Sequence, residues 1–182
     1  MDHGTQRTGT NKNIVLIGFM GAGKTTVGRM LAEKLGRTFI DSDQEVEAIE
    51  GMPISRLFKE KGEAYFREAE RKLITRLCTQ QHGNVLSLGG GAYLQEEIKN
   101  VCLTHGIVVF LSISWDAWMN RYASLIDERP ILQNRTLEEV RALFDARQAA
   151  YAAHHLIVHI DEQRPEDIVA FLLRELKQAA RQ

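Results

Sequence analysis

The chain has 182 residues, of which 44% are hydrophobic and 26% charged, with a formal net charge of −1. That is enough apolar material for one domain with a real core, and the near-neutral balance excludes the basic footprint of a general nucleic-acid or membrane-surface binder. No apolar run reaches membrane-spanning length, no secretory segment follows Met1, and Cys78 and Cys102 lack metal-ligand spacing, so the reading is a cytoplasmic protein with reduced thiols.

In chain order, Met1 to Asn13 is polar and reads as a disordered leader, with a single domain over 14–182. Ile14–Ile17 is a buried strand that runs into Gly18-Phe-Met-Gly-Ala-Gly-Lys-Thr25, which fits the G-x-x-x-x-G-K-[ST] template of a phosphate-binding loop. Glycines let backbone N–H groups turn inward around oxyanions, and the helix over Lys24–Leu35 adds positive potential from its N-terminus. Nucleotide contacts therefore fall on Gly21, Ala22, Gly23, Lys24, Thr25 and Thr26. Lys24 would reach the phosphates, and the Thr25 hydroxyl would ligate Mg²⁺. ATP and Mg²⁺ are the implied cofactors.

A second strand over Thr38–Asp41 leads into Asp41-Ser-Asp43. On an extended segment both carboxylates point the same way, towards Lys24. One could organise Mg²⁺ through water and the other could accept from a substrate hydroxyl, whereas a helix cap at Ser42 or Asp43 is the plainer role. Helices follow over Gln44–Glu50, Pro53–Lys59 and Glu63–Gln80. Arg67 lies off the apolar stripe of the third, which runs through Phe66, Leu73, Ile74 and Leu77.

The third strand, Val85–Leu88, ends in Gly89-Gly90-Gly91, where positive φ and missing side chains would let a ligand lie against the backbone. A helix over Gln95–Leu103 and a strand over Ile107–Leu111 come next. The helix over Trp115–Ser124 carries Trp115, Trp118, Met119 and Tyr122 at helical spacing, which reads as core. Residues 124–135 are polar, contain Arg129-Pro130, and suit a mobile lid. The chain closes with a helix over Leu137–Ala153, a strand over Leu156–Ile160 and a helix over Pro165–Gln178. His154, His155 and His159 lack the spacing of a metal cluster.

Strands alternating with helices imply a parallel sheet covered on both faces, with ligands outside the carboxyl ends of the strands. The strands other than the second are nearly continuously apolar, as strands buried on both faces should be. A GTPase Asn-Lys-x-Asp is missing, and the one run resembling a motor-ATPase acidic strand, ending at Asp161-Glu162, comes late on the last strand. A small-molecule kinase is the best class. Phosphoryl transfer calls for cations on the γ-phosphoryl oxygens and exclusion of water, but the residues alone do not choose among Arg67, Arg121, Arg129 and Arg147.

Taken together, Gly18 to Arg29, Phe39-Ile-Asp-Ser-Asp43, Gly62-Glu-Ala-Tyr-Phe-Arg67 with Glu70, Leu86-Ser-Leu-Gly-Gly-Gly-Ala92 and Arg129-Pro-Ile-Leu132 resemble the shikimate kinase family. The resemblance spans about Asn13 to Ala170. It implies an α/β fold, a three-layer α/β/α sandwich of P-loop kinase type with a five-stranded parallel sheet in order 2-3-1-4-5. It further implies ATP-dependent phosphorylation of the shikimate 3-hydroxyl, by a monomer with no nucleic-acid or membrane partner. Lys24, Asp43 and Arg129 would be catalytic, with Asp43 either base or orienting acceptor. Arg67, Arg147, Gly89, Gly90 and Gly91 would hold the substrate carboxylate, while Asp41 and Ser87 would hold metal-bound water. Arg121 would flank adenine, with Arg164 a further contact. One departure is Asp127-Glu128 before Arg129, where many family members are more basic. The alternatives are a gluconate-type kinase, which need not share the glycine run or Phe66-Arg67, and a nucleotide-binding regulatory module without an acceptor pocket.

Overall fold

The computed structural model describes residues 11–126, 132 and 135–179. Its elements are β1 (Asn13–Ile17), α1 (Lys24–Leu35), β2 (Phe39–Asp41), α2 (Ser42–Glu50), α3 (Ile54–Lys61), α4 (Glu63–Gln80), β3 (Val85–Ser87), a 3-10 turn (Ala92–Leu94), α5 (Glu96–His105), β4 (Gly106–Ser112), α6 (Trp115–Ile126), α7 (Leu137–Ala150), β5 (Leu156–His159) and α8 (Pro165–Ala179). The strands form one parallel sheet in the order β2-β3-β1-β4-β5. Helices pack around it as the three-layer sandwich expected, α1 against α8 and α4 against α5. Central β1 is buried at every residue, because helices cover both of its faces.

Four expectations shift. Asn13 belongs to β1 rather than to a leader: its amide donates to the Leu77 and Gln81 carbonyls and accepts from the Asn84 N–H, so it closes the end of α4 onto the sheet. β5 is not buried on both faces; as the outer strand next to β4 it exposes Ile157 and buries Val158. α2 begins at Ser42, two residues early, because neither Ser42 nor Asp43 caps it; the Asp41 carboxylate accepts from the Asp43 and Gln44 N–H groups. α7 stops at Ala150, with Tyr151 as its C-cap.

The aromatic stripe of α6 is core, as read. Trp118 is fully buried, stacks on Trp115, and meets Phe19 and Phe144 edge-on or tilted. Its indole N–H donates to the Met20 carbonyl at 2.9 Å, tying the phosphate loop to α6. Cys78 on α4 and Cys102 on α5 are free, fully buried thiols whose sulfurs lie 3.8 Å apart. Among the described residues no helix is long and apolar enough to cross a membrane.

Candidate active site

The loop between β1 and α1 is shaped by its glycines. Gly18 (φ 149°) has room for no Cβ, which would sit 2.6 Å from the Leu111 carbonyl oxygen. Gly23, at φ 83°, is the left-handed N-cap of α1, so the first N–H groups of that helix face the cavity without a side-chain cap. The Lys24 ammonium donates to the Gly18 and Phe19 carbonyls at 2.7 and 3.2 Å, folded across the loop it would share with phosphates. The Thr25 hydroxyl donates to Asp41 Oδ2 at 3.2 Å, bringing together the two groups assigned to the metal. Among the described residues no cluster of three or more His, Cys, Asp or Glu could hold a metal ion. Thr26 lines the cavity and Ala22 is buried behind it. Arg121 donates from α6 to the Gly21 carbonyl at 2.8 Å, so it does stand at this loop.

A cavity of about 880 Å³ opens from the loop towards α2, α3 and α4, at the carboxyl ends of β1, β2 and β3. Asp43, Arg67, Glu70 and Arg147 line it, together with Gly89, Gly90 and Gly91. None of these three glycines takes a positive φ, which corrects one part of the sequence reading. Each is needed for its missing side chain. A Cβ on Gly89 would run into the Asp43 carboxylate; on Gly90 it would sit 2.8 Å from Arg147 Nη1, and on Gly91 2.6 Å from Arg67 Nη2. The glycine run is thus a flat backbone against which three polar side chains lie. The Gly89 N–H donates to the Ser42 hydroxyl, and the Tyr151 hydroxyl donates to the Gly90 carbonyl at 2.7 Å, so the run is fixed from α2 and from the end of α7. With Asp41 serving as a helix cap, the two carboxylates divide: Asp41 faces Thr25, and Asp43 rides the first turn of α2 beside the glycines.

The arginines are now distinguishable. Arg147 is 5% exposed, packs its guanidinium over Phe19, and makes no ion pair with a described residue. Its Nε has no hydrogen-bond partner there. Burial lowers its pKa, and Arg67 and Arg135 add positive charge nearby; an arginine nonetheless stays charged. The Arg67 side chain is 27% exposed and donates from Nη1 to Glu70 Oε2 at 2.7 Å. Glu70 is 1% exposed, and desolvation pushes its pKa up to about 7 against the pull of Arg67. Arg164 stays outside the cavity: its side chain is 76% exposed and pairs with Asp167 at 2.9 and 3.1 Å. Arg129 lies outside the described residues.

The sequence reading missed the apolar wall of Met20, Ile54, Phe58 and Phe66, and the anchoring hydroxyl of Tyr151. A signal for the wall was present. α3 turns Leu57 into the core while Ile54 and Phe58, four apart, form a second apolar stripe that a core-facing helix does not need. Glu47 fixes that wall by accepting from the Ile54 N–H at 2.8 Å.

Comparisons with known proteins point to one family. Residues 20–177 match the family model described as shikimate kinase. The shikimate kinase of Geobacillus thermodenitrificans is 54% identical over 167 residues, covering 91% of this chain and 89% of that protein. A structure of shikimate kinase from Acinetobacter baumannii in complex with shikimate superposes with a TM-score of 0.86 at 34% identity, covering 96% of this chain and 98% of the other. The shikimate kinase of Aquifex aeolicus gives a TM-score of 0.79 at 35% identity, covering 92% and 98%. With sequence, fold and cavity in accord, the chain belongs to the shikimate kinase family, whose members move a phosphoryl group from ATP to shikimate with Mg²⁺.

Proposed function

We propose that this chain phosphorylates the 3-hydroxyl of shikimate in a site divided between the phosphate loop and the glycine run. The observation that carries this reading is the pair of guanidinium groups of Arg67 and Arg147, lying on Gly91 and Gly90 beside the Asp43 carboxylate. Arg67 already pairs with Glu70 at 2.7 Å and Glu63 at 3.6 Å, but Arg147 pairs with no described anion, so a carboxylate reaching both guanidinium groups would be held by directional charge-assisted bonds. Arg147 is buried, so a carboxylate aimed at it would offset the desolvation of its guanidinium. Gly89 backs Asp43, and Asp43 accepts the hydrogen bond of the attacking hydroxyl, as base or as orienting acceptor.

On the nucleotide side, the backbone of Gly21 to Thr26 and the Lys24 ammonium bind the phosphates, and Arg121 flanks adenine from α6. Thr25 would hold Mg²⁺, with Asp41 and Ser87 placed to hold its water, and the ion would shield the charge between phosphates. Lys24 offsets the charge that develops on the transferring group. Ile54, Phe58 and Phe66 keep bulk water from the acceptor ring. Arg129, outside the described residues, would add a further cation for the transferring group. The net charge of −1 and the two free thiols support a cytoplasmic enzyme without nucleic-acid or membrane-surface partners, acting as a monomer in this reading.

An ADP-release assay with MgATP tests the whole reading by comparing shikimate, gluconate and no acceptor. Shikimate-dependent turnover that vanishes in Lys24→Ala is the expected result. Turnover with gluconate alone would overturn the acceptor assignment.

A further inference from the structure

Glu70 is placed where a plain structural carboxylate has no reason to be. It sits inside the cavity wall on α4, 1% exposed, and its Oε1 has no hydrogen-bond partner among the described residues. Its other oxygen, Oε2, accepts both from Arg67 Nη1 at 2.7 Å and from Gln95 Nε2 at 2.8 Å. The groups that face it are few. Arg67 approaches from its own helix, Asp43 from α2, Arg147 from α7, and the uncharged Gln95 from the turn before α5. One anion, Asp43, therefore opposes the ionised form, and the nearest cation is the one that must also serve the substrate.

Resting on the clamp reading above, we propose that Glu70 takes up a proton when the substrate carboxylate binds, so that shikimate enters the site together with H⁺. The physics is competitive. A carboxylate arriving at Arg67 adds a second negative charge within the same desolvated pocket and draws on the guanidinium that stabilises ionised Glu70. Protonation relieves both, and the neutral acid gains an O–H that the partnerless oxygen can carry. The free site is already poised for this exchange, with Glu70 held at about 7 by burial. Below that pH Glu70 is neutral beforehand and nothing is taken up. Above it the proton must be captured from solvent, so shikimate affinity falls as pH rises. The two arginines of the clamp stay protonated throughout this range.

The test is calorimetric titration of shikimate into the full-length protein at pH 7 in buffers of low and high ionisation enthalpy, such as phosphate and Tris. The apparent enthalpy should depend on the buffer with a slope of about half a proton taken up per site, given a free-site value near 7. The slope should fade by about pH 5, and Glu70→Gln, which keeps an oxygen for Arg67 but cannot titrate, should bind with no slope. In the unmodified protein the dissociation constant should rise by more than tenfold, on the order of 25-fold, from pH 6.5 to 8.5, a result that does not depend on the variant folding. Binding whose heat is the same in every buffer overturns the proton linkage and leaves the clamp standing. A slope that persists in Glu70→Gln gives the proton to another group and overturns the proposal as well. No binding at all overturns the clamp reading and the linkage with it.

Discussion

At the scale of single residues, the glycine run separates substrate grip from chemistry, and so makes those two functions separable by substitution. Gly91→Ala would put a methyl 2.6 Å from Arg67 Nη2 and displace a flexible guanidinium rather than the backbone. Its expected outcome is a fold intact by circular dichroism and a KM for shikimate raised by roughly tenfold, about 1.4 kcal/mol. Gly89→Ala would drive the methyl into the Asp43 carboxylate, and the loss should fall on kcat instead. Steady-state kinetics that showed both variants changing the same parameter would contradict this division. Arg67→Ala removes charge-assisted bonds worth about 1.5–3 kcal/mol each, so the KM for shikimate should rise roughly ten- to a hundredfold. An unchanged KM would remove Arg67 from the clamp. Asp43, Lys24 and Thr25 stood out in the sequence because each follows a strand end inside a motif. The arginines did not, since a helix arginine is ordinarily a solvated, ion-paired residue. What sets Arg147 apart from Arg164 is burial against exposure, a property of the packed chain that no spacing carries.

At the scale of elements, the site depends on how three helix ends are fixed. α7 starts with a complete capping box, in which Thr136 accepts from the Glu139 N–H and Glu139 accepts from the Thr136 N–H. Thr136→Ala should cost about 1 kcal/mol in a urea-denaturation midpoint, because an orphan N–H returns to the helix start. At the other end, Tyr151 follows one turn after Arg147 and bonds to the Gly90 carbonyl, so α7 aims the arginine and holds the surface it lies on. Tyr151→Phe would leave that carbonyl without its partner; a loss of about 1 kcal/mol in stability, with a higher KM for shikimate, is the expected result. Alternating apolar runs and amphipathic patterns made every strand and long helix legible, α1 and α4 to the residue and the others with one or both ends off by one to three residues. Asp41 shows why the ends moved: whether a carboxylate caps a helix or stays on the strand depends on which N–H groups are left without partners, and that is settled only once the turn has formed. The strand order 2-3-1-4-5 was not readable from the residues at all. It came from the resemblance, because many orders satisfy the same alternation of elements.

At the scale of the whole molecule, one buried acid shapes the dependence of stability on pH. The folded-state pKa of Glu70 is raised from 4.5 to about 7, so the native state binds more protons than the unfolded chain between those values. Its contribution is fully present below about 4.5 and is lost as pH climbs through 7. Compared with Glu70→Gln, the unmodified protein should therefore lose stability across that window, by roughly 3 kcal/mol at most. Paired thermal melts from pH 5 to 8 would show it; parallel curves would mean that Glu70 ionises without penalty. The rest of the molecule offers a gauge of such changes. Cys78 and Cys102 meet sulfur to sulfur behind α4 and α5, with no surface of their own. A maleimide added to the native protein thus finds nothing to react with, and labelling begins only when those two helices part. The thiols make the enzyme its own stopwatch: the rate of double alkylation counts how often the body of the fold breathes open.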